Sequence, residues 1–172
     1  MEGVRPSPDR VRETVFNWLG QDLDGWVVLD LFAGSGALGF EAASRGAARV
    51  VMVERHPEVL RVLRHNRDSL AVASVQIIQG DARSWPRQSA ERFDLILADP
   101  PFGDARPAEL LADLSTCLKP SGMVYLETPG AVVPTAGWTV FRAGRAGQVH
   151  YQLLVPQDPR AADPAGGIVP GS

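Results

Sequence analysis

The sequence predicts an α/β fold, a doubly wound and mostly parallel seven-stranded sheet that ends in an antiparallel hairpin. Three observations carry that expectation. Short apolar runs alternate with segments of helical periodicity, the pattern of strands whose crossover helices cover both faces of a sheet. A glycine-rich turn, Gly34-Ser35-Gly36, directly follows the first apolar run. The last two runs are separated only by residues 143–147, too few for a crossover, so they must pair antiparallel.

Each element has its own signal. Ser7-Pro8 opens a helix, with Ser7 as N-cap and Pro8 at the first helical position, and Val11, Val15, Trp18 and Leu19 recur at helical spacing until Gly20. Residues 26–32 form the first strand, and residues 37–45 a helix stopped by Gly46. Residues 49–54 are a buried strand, and residues 57–70 a helix with Val59, Leu60, Leu63 and Leu70 inward. Residues 75–79 and 93–98 are strands, and residues 108–118 a helix closed by Pro120-Ser121-Gly122. Residues 123–127, 138–142 and 148–155 complete the strands. Residues 1–156 are thus expected to be one domain. Residues 157–172, rich in Pro, Ala, Gly and Asp, are expected to be a disordered tail.

Composition narrows the function classes. The 172 residues are 45% hydrophobic, enough for one core, and the net charge of −3 supplies no global field for a polyanion. Any such partner needs a local patch. The single cysteine, Cys117, excludes an internal disulfide and a cysteine-based metal site, and reads as a buried thiol. His56, His65 and His150 lack ligand spacing, so no metal is expected. No apolar run has the length of a membrane span and no signal-peptide core opens the chain, so the reducing cytoplasm is the expected compartment and a monomer the expected state.

Three constellations carry chemistry. In the first, Asp30 ends the first strand and Gly34, Gly36 and Gly39 let a backbone approach a ligand closely. Those glycines also match a dinucleotide pattern, and a plain packing turn is the alternative. A carboxylate at Asp30 suits a cationic group, an ammonium or sulfonium, better than a pyrophosphate. In the second, Glu54 at the end of the next strand can accept from both hydroxyls of a ribose. Asp81, after the third strand, can accept from an adenine amine while the Ala82 N–H faces a ring nitrogen; an Asx turn explains that triplet equally well. The third is Asp99-Pro100-Pro101-Phe102 after the fourth strand. Its carboxylate and rigid Pro100 carbonyl can accept both N–H bonds of a planar amine while Phe102 stacks on the ring.

These stretches resemble the S-adenosylmethionine-dependent methyltransferases of Rossmann-like, class I fold that modify amino nitrogens. With the Arg5–Leu19 segment, Gly34–Gly46 and Ala146–Tyr151, the chain resembles the RsmD family, bacterial 16S rRNA guanine-N2 methyltransferases. The resemblance implies S-adenosylmethionine held by Asp30, Phe32, Ala33, Gly34, Gly36, Glu54, Arg55, Asp81 and Ala82. It implies catalysis by Asp99, Pro100 and Phe102, and contacts to RNA phosphates from Arg5, Arg10, Arg12 and Arg106. The implied partner is 16S rRNA, within the small ribosomal subunit or an assembly intermediate. Family members carry a basic leading segment where this chain has only Met1–Val4, so weaker binding to free RNA is expected.

Rival readings stay in play on the sequence. The same fold methylates DNA adenine at N6 or a protein glutamine, and Asp-Pro-Pro-Phe alone does not separate these. An NAD-dependent oxidoreductase would use the glycine pattern and Glu54 but leaves residues 99–102 unexplained. A non-catalytic RNA-binding module would have no need of the acceptor set.

Overall fold

The computed structural model describes residues 8–101, 106–130 and 136–157. Helix α1 (Pro8–Leu19) precedes strand β1 (Val27–Leu31), helix α2 (Ala37–Ser44), strand β2 (Arg49–Glu54) and helix α3 (Pro57–Leu70). Strand β3 (Val75–Gln79), the single turn α4 (Trp85–Gln88), strand β4 (Phe93–Ala98) and helix α5 (Pro107–Ser115) follow. Strands β5 (Leu118–Thr128), β6 (Trp138–Ala146) and β7 (Val149–Pro156) close the sheet.

The seven strands lie in the order β3-β2-β1-β4-β5-β7-β6. The first five in sequence run parallel, while β7 pairs antiparallel with both β5 and β6. The chain therefore starts in the middle of the sheet, winds outward to β3, and returns through β4, leaving a crevice beside β1 where ligands bind in such folds.

Burial on both faces explains the unbroken apolar runs. Val28, Met52, Leu97 and Tyr125 point to a core completed by Phe16, Leu60 and Leu63, whereas Leu29, Val51, Ile96 and Leu126 point to one completed by Leu110, Leu111 and Leu114. Helix α1 is anchored to β7 by a stacked pair, Trp18 and Tyr151, with ring centroids 5.3 Å apart. At the amino end of the sheet Asp94 ties three segments together, accepting from the Val27 N–H at 2.8 Å and from Lys119 Nζ at 3.0 Å.

Three local expectations are corrected. The helix expected over 108–118 ends at Ser115, and β5 starts at Leu118. Thr116 and Cys117 finish the last turn, and the Cys117 carbonyl accepts from the Phe93 N–H at 2.8 Å, which commits the chain to the sheet. Pro120-Ser121-Gly122 does not stop a helix; it forms a bulged stretch where the register jumps from Phe93↔Leu118 to Leu95↔Met123. The hairpin is also longer than expected, β6 running on to Ala146 with Gly147 at φ 63° in the turn. Pro8 opens α1 as predicted. Ser7 and the expected tail from residue 158 onward lie outside the described residues.

Candidate active site

The parallel register brings the carboxyl ends of β1, β2, β4 and β5 into one rim. Asp30 on β1 is in register with Met52 on β2 and Leu97 on β4, and Leu97 with Tyr125 on β5. Two residues further along the same face stand Glu54, Asp99 and Glu127.

The turn after β1 is tightly wound. Phe32 takes φ 62°, an unusual backbone state for a residue with a bulky side chain, and Gly36 takes φ 81° as N-cap of α2. A Cβ on Gly36 would lie 2.6 Å from the Phe40 ring and 2.7 Å from Leu63. The Ala33 N–H donates to the Val53 carbonyl at 3.2 Å, closing the turn onto β2.

Asp30 is only 3% exposed, and its Oδ2 accepts the Gly39 N–H at 3.0 Å. A Cβ on Gly39 would sit 2.7 Å from that oxygen, so the third glycine of the pattern lets helix α2 lean directly on the carboxyl. Burial pushes the Asp30 carboxyl up to about 8, against the Gly39 hydrogen bond, with the Asp99 and Glu54 charges adding to the rise.

Glu54 is fixed by three backbone donors. Its Oε2 accepts from Gly34 at 3.3 Å, and its Oε1 from Arg55 at 3.0 Å and His56 at 3.2 Å. The carboxylate thus spans the glycine turn and the end of β2 with lone pairs left for a ligand. Asp81 is exposed and forms an Asx turn, its Oδ1 accepting from the Arg83 N–H at 3.1 Å. Ala82 is buried behind it, and Arg55 is exposed beside Glu54.

Asp99 stands immediately beyond β4, and Pro100 and Pro101 border a groove shared with Arg106, Glu127 and Thr128. Partial burial, the charge of Glu127 and a hydrogen-bonding contact with that carboxyl push Asp99 up to about 7. Asp99 keeps an exposed surface, so the contact with Glu127 is the stronger physical reason for the rise. The buried Tyr125 hydroxyl donates to Glu127 Oε1 at 2.5 Å. Phe102, the expected stacking residue, lies outside the described residues, as does Arg5.

Among the arginines expected to meet phosphate, Arg10 is exposed, whereas Arg12 is held by Asp9 at 2.9 Å and Glu41 at 3.4 Å. Arg106 is exposed and reaches Glu109 at 3.5 Å across the first turn of α5. Among the described residues no helix is long and apolar enough to cross a membrane, and no group of three His, Cys, Asp or Glu could hold a metal ion.

The donor set fits a cationic ligand. The charges of Asp99 and Glu54 raise the proton affinity of Asp30, and that of Glu127 raises Asp99, so a positive group seated among them would relieve repulsion already present. A sulfonium bearing an amino-acid ammonium would be such a group, and Glu54, beside the narrow glycine turn, keeps lone pairs that could accept from hydroxyls of the molecule carrying it. A pyrophosphate would add negative charge to the same place. Glu127 was not singled out by the sequence, although its place just before Pro129-Gly130, like that of Asp99 before two prolines, was a readable signal.

Comparisons with known proteins agree with this fold. Residues 1–155 match a family model described as Conserved hypothetical protein 95. The chain is 37% identical over 157 residues to Ribosomal RNA small subunit methyltransferase D of Escherichia coli, covering 88% of this chain and 79% of that one. The protein of the same name from Haemophilus influenzae is 37% identical over 160 residues, covering 88% and 83%. The solved structure of yhhF from Escherichia coli superposes with a TM-score of 0.81 at 35% identity, covering 91% of this chain and 89% of that one.

Proposed function

The chain belongs to the RsmD family and is an rRNA methyltransferase, and from that premise we propose that it methylates the exocyclic N2 amine of a guanine in 16S rRNA with S-adenosylmethionine as donor. The observation that carries this reading is the convergence of Asp30, Glu54 and Asp99 on one rim around the glycine turn. Residues 1–156 are the catalytic domain in this reading. The enzyme acts in the cytoplasm as a monomer, on RNA held in the small subunit or an assembly intermediate.

Asp30, Phe32, Ala33, Gly34, Gly36, Glu54, Arg55, Asp81 and Ala82 would hold the donor. Bound there, the donor supplies a methyl group made electrophilic by its sulfonium. Glu54, already fixed by three N–H donors, would accept from the ribose hydroxyls without reorganising. The cluster of carboxyls favours the cationic end.

The target amine is a weak nucleophile because its lone pair is delocalised into the guanine ring. Asp99 and the Pro100 carbonyl, accepting its two N–H bonds, would localise that lone pair, and Phe102 would stack on the ring. Such prearranged acceptors are worth roughly 10²–10³ in rate each. A base must leave its stack to reach a rim pocket, which favours a guanine in a loop. Arg5, Arg10, Arg12 and Arg106 would hold the flanking phosphates; for Arg12 this means exchanging its ion pairs with Asp9 and Glu41.

The test is to incubate the protein with small ribosomal subunits and a donor carrying a labelled methyl group, then digest the rRNA to nucleosides for mass spectrometry. Label in N2-methylguanosine is expected. Label in N6-methyladenosine or in protein would overturn the reading.

A further inference from the structure

We propose that Glu127 is a positioning residue of the methyl-transfer site, forming with Asp99 a carboxylate dyad that takes up the proton released by the target nitrogen. The inference rests on the placing of Asp99 at the target amine given above, and it concerns how that residue is made fit for its task.

The dyad follows from the sheet. Strands β4 and β5 are parallel and in register at Leu97↔Tyr125 and Ala98↔Leu126, so the next residues on each strand, Asp99 and Glu127, meet at the rim. That register sets the two carboxyls side by side, where Glu127 acts on Asp99 through its charge and a hydrogen bond, and a hydrogen bond between two carboxyls needs one proton between them. Glu127 cannot simply turn away, because the Tyr125 hydroxyl, wholly buried two residues earlier on β5, donates to its Oε1. Burial and the nearby carboxyls raise the tyrosine well above its ordinary range, so it remains a donor.

The groups around the pair are of both signs. Asp30 from β1 feels the charge of Asp99 and, from β2, that of Glu54, Tyr151 from β7 lies opposite Glu127, and His150 pairs with Thr128 one step along. Arg106, before α5, lines the same groove as Glu127. Like charges at this spacing make the last, shared proton hard to remove from the pair, and that shared position is correspondingly a good place to deliver one.

The proton step balances within these residues. As the nitrogen gains its methyl group it gives up one hydrogen as a proton. The ionised dyad receives that proton through Asp99 and reaches its shared-proton state, then returns it to solvent. An isolated aspartate with an ordinary affinity would be a weaker base; a base poised near the working pH is the better acceptor. Glu127 touches neither substrate nor donor in this scheme. It sets the strength and the aim of Asp99.

The experiment has two readouts on the full chain. Carboxyl-carbon NMR titration of the protein alone follows Asp99 and Glu127 directly. Wild type should show two coupled transitions, the upper near pH 7. Glu127→Gln should leave a single Asp99 transition moved down by about one pH unit or more. Single-turnover methyl transfer at saturating donor should follow: at pH 6 the variant should run at a fraction of its own plateau roughly fivefold larger than wild type does, on a lower plateau. Glu127→Asp, which retracts the carboxyl, should fall between the two in both readouts and serves if the glutamine variant does not fold. An Asp99 midpoint unmoved by either substitution, or a rate lowered equally at every pH, would overturn the proposal. Near-normal turnover in Asp99→Ala would instead overturn the placing of Asp99, whatever the titration shows.

Discussion

Replacing Asp30 by asparagine should make the free protein more stable than wild type by a margin that widens as pH rises from 5.5 to 7.5. The carboxyl is 3% exposed, accepts the Gly39 N–H, and is pushed up to about 8 chiefly by burial. Between its ordinary value of 3.8 and about 8 the folded chain therefore holds a proton that the unfolded chain has lost. Stability contributed by this group is full on the acid side and declines as pH rises through that window. The slope for one group is at most about 1.4 kcal/mol per pH unit, so two units open a difference of up to about 3 kcal/mol. Asparagine is the isostere of the protonated acid: its amide oxygen can take the Gly39 hydrogen bond and no charge is left to bury. For a chain of this length 1 kcal/mol moves the midpoint by roughly 2–4 °C, so the gain at pH 7.5 should exceed that at pH 5.5 by up to about 6–12 °C. Thermal and urea denaturation of both proteins at the two pH values measures it. Parallel loss of stability in the two proteins between those values would refute the reasoning. A stabilised variant that binds the donor poorly would show a binding site maintained against the stability of the fold.

Other substitutions test the remaining parts of the site. Glu54→Ala should weaken donor binding by about 1–3 kcal/mol in calorimetry, since a charged acceptor for hydroxyls is lost; unchanged affinity would remove Glu54 from the site. Asp99→Ala should lower single-turnover rate roughly 10²-fold or more while the donor still binds, and Asp99→Asn, which keeps an accepting oxygen, should retain more activity than alanine. Gly36→Ala should cost about 2 kcal/mol or more in urea denaturation, because φ 81° disfavours a side chain and the new Cβ meets Phe40 and Leu63. Phe102→Leu should weaken RNA binding by about 1–3 kcal/mol through lost stacking, measured by equilibrium binding at fixed salt.

The parallel part of the fold was legible because both faces of each inner strand are buried, which turns β1, β2 and β4 into continuous apolar runs that no surface helix would show. The hairpin was legible from the shortness of its connection. What failed was local. Thr116 and Cys117 keep helical spacing with Leu110 and Leu114, yet the Cys117 carbonyl is claimed by Phe93 on the neighbouring strand, and tertiary pairing decided the boundary. In the site, Asp30 and Glu54 could be read from their places near strand ends at fixed spacing from the glycine turn, and Asp99 from the two prolines that follow it. The burial of Asp30 could not, since it depends on how closely α2 approaches at Gly39. Glu127 precedes Pro129-Gly130 and so ends its strand at a readable turn, but only the β4–β5 register shows that it meets Asp99.

The most direct measurement is mass spectrometry of 16S rRNA nucleosides from cells lacking the gene, with and without the gene restored. The account predicts that one N2-methylguanosine disappears on deletion, returns with the wild-type chain, and does not return with Asp99→Ala produced at the same level. An unchanged N2-methylguanosine content after deletion, or full restoration by the Asp99→Ala chain, would contradict it.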